Sequence, residues 1–521
     1  MTQNSFIRVY SEKGFVPGWL QAVAPLLPVQ LTAPTDETKV GGRIVFGAVA
    51  GNGPVDDSCE LQLPAVASVA AAPEQGIEKV FFSEEVEVPF PYRGRTLLAK
   101  VPKNVPLLKL SAGEKVLLQN TQGALWTVAN AAGRRVYRTS LVPVVKLLSE
   151  AINGDVFVQI LPVLEFLRVA SGLTEVMRPG LRAGFIFDDP NLHWPRYGYV
   201  DYADMVTRAK RENYHVSFAT IPMDAWYTHR ATAAIFRANP AQLSLCVHGN
   251  DHTKRELAGH YSESQRLALL QQALRRIEKL ERNSGVPVSR VMVPPHGACL
   301  ESMLADLPRM GLESACISAG SLVAHNRDKA WTASLGYLPS EGIAGCPVLP
   351  RWAMTGCATD QALMAAYLGQ AIVLRGHHDD LKHGVELLDQ LARFVNGIGP
   401  VQWLNMEQLS RANYQWRMAG PTCQFRALGR RMTFTLPPAA TELCLDPLSL
   451  GATAQWRVTE PGGKNHLLQA GDALSLAGGT KLELEIVEPA KHRGPIPVRR
   501  SPVKAVVRRV LTEVRDRLRL N

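Results

Sequence analysis

Between Leu181 and Arg411 the chain alternates short apolar runs with longer amphipathic ones. AGFIF precedes YADMVTRAKREN, HVSFATIP precedes a helical stretch near TAAIFRAN, and LSLCVHGNDH precedes SESQRLALLQQALRRIEKLERNSG. VSRVMVPPHG then leads to a helix near ESMLADLPRMG, and SACIS and AIVLRGHHDD lead to a last helix near GVELLDQLARFVNGI. Continuous apolar runs of this length read as strands buried on both faces. Their alternation with helices predicts parallel strands joined by crossover helices, an α/β fold of the barrel kind. Polar residues cluster just after the strands, where such folds gather their sites at one mouth.

The flanks follow other rhythms. Residues 1–175 mix strand-like runs (GRIVFGAVA, EKVFFSEEVEV, GEKVLLQN, GALWTVANAAG) with Pro-rich turns and a helical stretch near SLVPVVKLLSEAI. They read as an N-terminal α/β domain without a chemical motif. Residues 414–490 carry short strands without helices (CQFRALG, RMTFTLP, ELCLDP, TAQWRVTE, KLELEIVE), which predicts a small β-sandwich. In the tail, 491–521, Val503, Val506, Val507, Val510, Leu511, Val514 and Leu518 recur at helical spacing.

Charge changes the picture only at that tail. Ten Lys/Arg against Glu513 and Asp516 leave it at +8, nearly all of the chain's +10. A basic amphipathic helix of this kind lies on an anionic membrane surface, or docks on the protein body or an acidic partner. Nucleic acid fits poorly, because the body offers no matching basic face. The eight cysteines form no CxxC pair, which argues for buried thiols in a reducing compartment over a disulfide framework or a structural zinc knot. No run approaches the ~20 apolar residues of a membrane span, and the N-terminus lacks a signal-peptide core. The expected location is cytoplasmic, peripheral at the inner membrane face if the tail binds lipid.

Four strand ends carry candidate chemistry. FIFDDPNLHWPRYGY ends a strand in Asp188 and Asp189, which leave it in different directions. LSLCVHGNDHT places His248 and His252 four residues apart across a turn. VMVPPHGAC stiffens a loop at Pro295 and His296, with Gly297 free to turn. AIVLRGHHDDLKHG brings Arg375, His377, His378, Asp379 and Asp380 to one strand end, suited to acid–base work. Singly, each reads as readily as a turn, a helix cap or a solvated loop.

The order strand-DD, strand-HxxxH, strand-PPxG and a late strand-H resembles the NodB-homology polysaccharide deacetylases, carbohydrate esterase family 4, over about residues 181–405. The resemblance implies a distorted (β/α) barrel of the NodB type and hydrolysis of an N-acetyl amide on a sugar or glycan precursor. The branch it is similar to occurs in bacterial surface-polysaccharide gene clusters, including those of lipopolysaccharide. It implies Asp188 as catalytic base, Asp189, His248 and His252 as ligands of a divalent metal, and His377, with His378 as competitor, as general acid. One carboxylate and two imidazoles suit zinc, with cobalt, nickel or manganese as alternatives. Pro295, His296, Trp194, Tyr197, Arg351 and Arg375 are the expected substrate-side residues. The chain departs from the family where an arginine usually precedes the paired prolines, since Val293 stands there. The family's fourth-motif Asp, which tunes the acid histidine, has no counterpart near SACIS either, and Arg351, Arg375 or Asp379 are candidate substitutes. That departure keeps open two alternatives: an inactive carbohydrate-binding or scaffold protein, and a metal amidohydrolase acting on a non-sugar amide.

Overall fold

The computed structural model describes all residues except 1–4, 12–15, 25–26, 28, 33–40, 48–58, 66–73, 132, 144–147, 173–175, 332–334, 452, 488–495 and 519–521. Parts of the GRIVFGAVA strand and of the SLVPVVKLLSEAI helix therefore lie outside the described residues, as does the start of the basic tail. The chain divides into two units. One comprises 1–177 with two returning segments, 331–337 and 360–368, and the other comprises the rest.

The first unit is built on a nine-stranded mixed sheet. Ser5–Tyr10, Val29–Thr32, Gly42–Phe46 and Cys59–Leu63 pair in parallel. Arg134–Thr139 joins them in parallel and continues into an antiparallel meander. The helix Leu161–Ala170 starts with Pro162 in its first turn, where a missing N–H costs nothing. The returning segment is fixed here by the Tyr367 hydroxyl, which donates to Glu165 at 3.1 Å.

The second unit holds the alternating region. Its strands are β1 (Leu181–Asp188), β2 (Val216–Thr220), β3 (Leu243–His248), β4 (Val288–Val293), β5 (Ser314–Cys316), β6 (Cys346–Leu349), β7 (Ile372–Gly376) and β8 (Val401–Trp403). The crossover helices include α1 (Tyr202–Glu212), α2 (Arg230–Ala238), α3 (Glu263–Ser284), α4 (Glu301–Arg309) and α5 (Glu386–Asn396). The order runs β6, β5, β4, β3, β2, β1, β7, all parallel, with β8 also against β1. The two-residue strand Trp352–Ala353 closes the far edge on β7.

The short strand Glu341–Ile343 pairs antiparallel on the outer side of β6, so β6 and Trp352 lie toward opposite ends of the sheet but only three residues apart in the chain. Three residues span at most about 10 Å, so the sheet must curl back on itself. It is not a closed barrel among the described residues: no pairing joins the two edges, and Arg351 lies in the seam. The expected α/β class holds, while ring closure is replaced by this seam because the outer side of β6 is taken by the antiparallel strand Glu341–Ile343 and not by Trp352–Ala353. Ile186, Ala219, Cys246, Val291, Cys316, Leu349 and Val373, one or two from each strand, fill the concave side. Met406 and Leu409 join the same cluster.

Local signals explain the crossovers. Ser262 and Gln265 form a reciprocal capping box at the start of α3, and Gly285 ends it at a φ of +66°. Beyond Tyr414 come two four-stranded sheets. Phe425 and Leu443 of one and Phe434, Trp456 and Leu484 of the other bury their side chains in a single cluster. The tail ends in α6 (Val503–Leu518).

Candidate active site

β1 ends in Asp188, which is 3% exposed, and the chain leaves through Asp189 at a φ of +85°. The Asp189 N–H donates to the Ala219 carbonyl of β2 at 3.1 Å, holding this left-handed turn. The turn sends the two carboxylates to different neighbours. Asp188 receives Arg351, whose Nη1 donates to both carboxylate oxygens at 3.0 Å. Burial pushes the Asp188 carboxyl up, but Arg351, followed by His248 and His377, holds it below its ordinary value. The seam arginine thus keeps Asp188 ionised, and it is buried beneath the carboxylate, away from the pocket lining where sugar contacts were expected.

Asp189 faces the two histidines. Its Oδ1 lies 3.3 Å from His248 Nε2 and 2.9 Å from His252 Nε2. Despite these distances Oδ1 has no hydrogen-bonding partner of correct geometry, although it is buried. Burial pushes this carboxyl up, and the two imidazoles pull it well below its ordinary value. His248 Nδ1 sits 2.8 Å from the Val293 carbonyl, which can only accept. Nδ1 therefore carries the proton and Nε2 presents a lone pair toward Asp189. An unpartnered buried carboxylate oxygen and two imidazole nitrogens, all within 4.8 Å of one another, fit a divalent cation. Val293, in place of an arginine, contributes through its backbone.

A carboxylate absent from the sequence reading shapes the HGNDH loop. Glu256, 1% exposed, accepts the backbone N–H groups of Asn250 at 2.6 Å, Asp251 at 2.9 Å and His252 at 3.2 Å. It closes the loop like an internal anion and lets His252 reach inward at a φ of +52°. A Cβ on Gly249 would strike this carboxylate and the ring of Pro295, so glycine is required there. His296, also at positive φ (+57°), sets its ring 5.2 Å from that of His252. Backbone strain is thus concentrated at Asp189, His252 and His296, as is common where a site over-determines its geometry.

The other expected residues divide. His377 is exposed at the end of β7, its N–H donating to Asp380 at 2.8 Å. His378 packs edge-on against Tyr197, ring centroids 5.4 Å apart, and beside Tyr199. Both histidines and Tyr197 line a pocket of about 250 Å³ with Asp189 and His252. Arg375 is half-buried, and burial together with the Arg351 charge lowers its guanidinium from the ordinary value, against the pull of Asp188 and Asp380. Trp194 is exposed and stacked 6.3 Å from His229, outside the pocket lining.

The tail supplies what the sequence motifs did not reveal. Arg509, 8% exposed, donates through Nε and Nη2 to Asp224 at 2.9 and 2.5 Å. Glu513 accepts from Asn191 and lies 3.5 Å from His193, just after the Asp pair. Asp251, the neighbour of His252, accepts from Arg276 at 2.7 Å, Arg499 at 2.5 Å and Ser501 at 2.6 Å. The tail therefore docks on both loops that carry ligand candidates. Meanwhile Val503, Val506, Val507, Val510, Leu511 and Val514 stay exposed.

The unit is of the mixed α/β class, with acidic and histidine side chains gathered at parallel strand ends. No family model and no curated protein sequence matches the chain. Among solved structures, the crystal structure of Agd3, a novel carbohydrate deacetylase, matches with a TM-score of 0.50 at 10% identity, over 94% of this chain and 99% of that one. This shows a shared fold. A family 4 carbohydrate esterase from Streptomyces lividans matches over 47% of this chain and 99% of its own (TM-score 0.29, 12% identity). A polysaccharide deacetylase from Mycobacterium smegmatis covers 45% and 93% (TM-score 0.32, 16% identity).

Proposed function

We propose that the chain is a metal-dependent hydrolase that removes N-acetyl groups from a sugar or glycan precursor in bacterial surface-polysaccharide biosynthesis. In this reading the curled sheet is a distorted NodB-type barrel and the paired C-terminal sheets are a small β-sandwich. The observation that carries it is the pairing of Asp189, His248 and His252 with an adjacent Asp188 kept ionised by Arg351. A metal-binding scaffold would need the first set alone. The ionised neighbour is what a hydrolase requires, and this favours the enzyme over the inactive alternative.

Asp189, His248 and His252 would hold the cation, zinc first among the candidates. When bound, it supplies Lewis-acid polarisation of the acetyl carbonyl and a lowered pKa for attacking water. Asp188 accepts the proton of that water, and Arg351 keeps its carboxylate unprotonated and oriented for it. His377, exposed in the pocket at the end of β7, protonates the leaving amine, whose C–N bond breaks poorly otherwise. His378, held under Tyr197 and Tyr199, is the weaker candidate for that role. Tyr197 lines the pocket, while Pro295 and His296 stand outside its lining, against Gly249 and the ring of His252.

A cytoplasmic enzyme peripheral at the membrane suits a lipid-carried precursor. The exposed apolar stripe of α6 beside basic residues supports that part of the reading. No helix among the described residues is long and apolar enough to cross a membrane. Two measurements test the proposal. Zinc-loaded protein should release acetate from N-acetylated sugars, and His252→Ala should lose both the metal and the activity. Acetate release at wild-type rate by metal-free His252→Ala would overturn the mechanism. Co-sedimentation with anionic liposomes equal with and without residues 491–521 would remove the membrane element.

A further inference from the structure

We propose that Arg508 is a substrate-binding residue that holds an anionic oxygen group, so that the sugar acted on carries negative charge. The inference deepens the deacetylase reading. The pocket has two walls of different origin: Asp189, His252 and His377 come from strand ends, and Ala505, Arg508, Arg509, Thr512 and Arg515 come from α6. The α6 positions recur at three- and four-residue intervals and form one stripe along a single face.

On that stripe the guanidinium groups are not equivalent. Arg509 is buried and committed to Asp224 and Glu513. That ion pair fixes the rotation of α6, and with it the direction in which its neighbours project. Arg508 lines the pocket with an exposed side chain and has no ion-pair partner among the described residues. It shares the pocket lining with Asp189 and His252. A guanidinium without an ion pair in a pocket gains most when an anionic oxygen group arrives to pair with it. A phosphate or carboxylate on the substrate would supply that anion, and a guanidinium binds either with two parallel hydrogen bonds. A neutral acetylated glycan would leave Arg508 without that partner.

The test uses the full, zinc-loaded chain as wild type, Arg508→Gln and Arg508→Lys, with equal bound zinc per chain as the check that the site is intact. Three probes are compared: a neutral chitooligosaccharide, N-acetylglucosamine 1-phosphate and an N-acetylated oligosaccharide containing a uronate. One charge-assisted contact should make Arg508→Gln raise KM for the preferred anionic probe by about tenfold or more relative to the neutral one, with kcat changed less, and Arg508→Lys should recover part of it. The phosphate and uronate arms tell which anion is read. An unchanged anionic-to-neutral ratio in Arg508→Gln would overturn the assignment. Calorimetric binding of the same probes separates this from the deacetylase reading. Anion affinity lost in Arg508→Gln, without turnover of any probe by wild type, sinks the reaction and keeps the site. Equal affinity in both proteins, or no anion binding, sinks the site.

Discussion

On the strand side of the pocket, Asp189, His248 and His252 are placed by short-range means. These are a left-handed residue after β1, a glycine that only just clears Glu256 and Pro295, and a carboxylate four residues downstream that gathers three N–H groups. On the helical side, Arg499, Ser501, Arg509 and Glu513 reach the same loops through buried charge pairs with Asp251 and Asp224 and through Asn191 and His193. The first wall is set by local backbone geometry and the second by charge across more than two hundred residues of chain. The contrast teaches that ligand geometry and pocket closure are separable, and substitutions on either side should break different properties.

The largest effects fall on the strand side. Asp189→Ala removes one of the three proposed ligands, and zinc affinity in chelator competition should drop about 10³-fold, one ligand's share of a structural-zinc binding energy. Asp188→Asn should leave zinc in place while acetate release falls about 10²–10⁴-fold, the usual worth of a general base. Equal zinc loss in both would erase the division of labour between the adjacent carboxylates.

Arg351→Ala tests the seam. It strands the buried Asp188 charge, so unfolding free energy in urea should fall by about 3–5 kcal/mol. The folded carboxyl of Asp188 lies below its unfolded value. Its contribution to stability is therefore present above the unfolded value, about pH 4, and lost as pH falls through the folded one. Without Arg351, burial acts unopposed and the Asp188 pKa rises, so the acid limb of kcat/KM should move to higher pH. Adding Asp188→Asn to Arg351→Ala should restore much of the stability and none of the activity. An acid limb at the wild-type pH would remove Arg351 from the site.

The contrast between the walls also marks what was legible in the sequence. The strand–helix alternation of residues 181–411 is a local pattern, and it yields the parallel strands and crossover helices found. The three ligand candidates stand in motifs at strand ends and converge. Arg351 lies in no motif. It acts because β6 and Trp352 lie toward opposite ends of one curled sheet, which pattern alone does not reveal. Glu256 has a local signal, a carboxylate just downstream of a glycine-containing loop, but it belongs to none of the strand-end motifs. The tail shows a deeper difficulty. Its apolar stripe predicts a helix whose apolar face is buried against something, whereas the face docked here holds Ala505 and Arg509. Binary patterning weighs burial by hydrophobicity, and a buried arginine paired with a buried aspartate lies outside that logic.

On the helical side, Arg509→Ala should cost about 3 kcal/mol of stability by leaving Asp224 buried with only Asn191 as a donor. Zinc affinity should change far less than in Asp189→Ala, because Asp224 and Asn191 position the loop after the ligand and bear no donor atom of the cluster. A zinc loss as deep as that of Asp189→Ala would make the two walls one unit.

The smallest effect belongs to Glu256, and it sharpens the comparison from within the strand side. Glu256→Gln retains the size of the side chain and one carbonyl acceptor but replaces the other acceptor with an amide donor. One of the N–H groups of Asn250, Asp251 and His252 then loses its partner, and His252 is less firmly held at its positive φ. Outer partners of this kind typically carry 10–100-fold in metal affinity, and the conservative change should sit near tenfold. The loss should also steepen toward low pH. Burial lowers the His248 pKa but Asp188 and Asp189 raise it above its ordinary value, so protons compete with the metal there as pH falls. With a looser His252, that competition bites at higher pH. Chelator titrations of wild type and Glu256→Gln across pH 5–8 measure both effects, and superimposable curves would show that the three N–H bonds shape the loop without tuning the site.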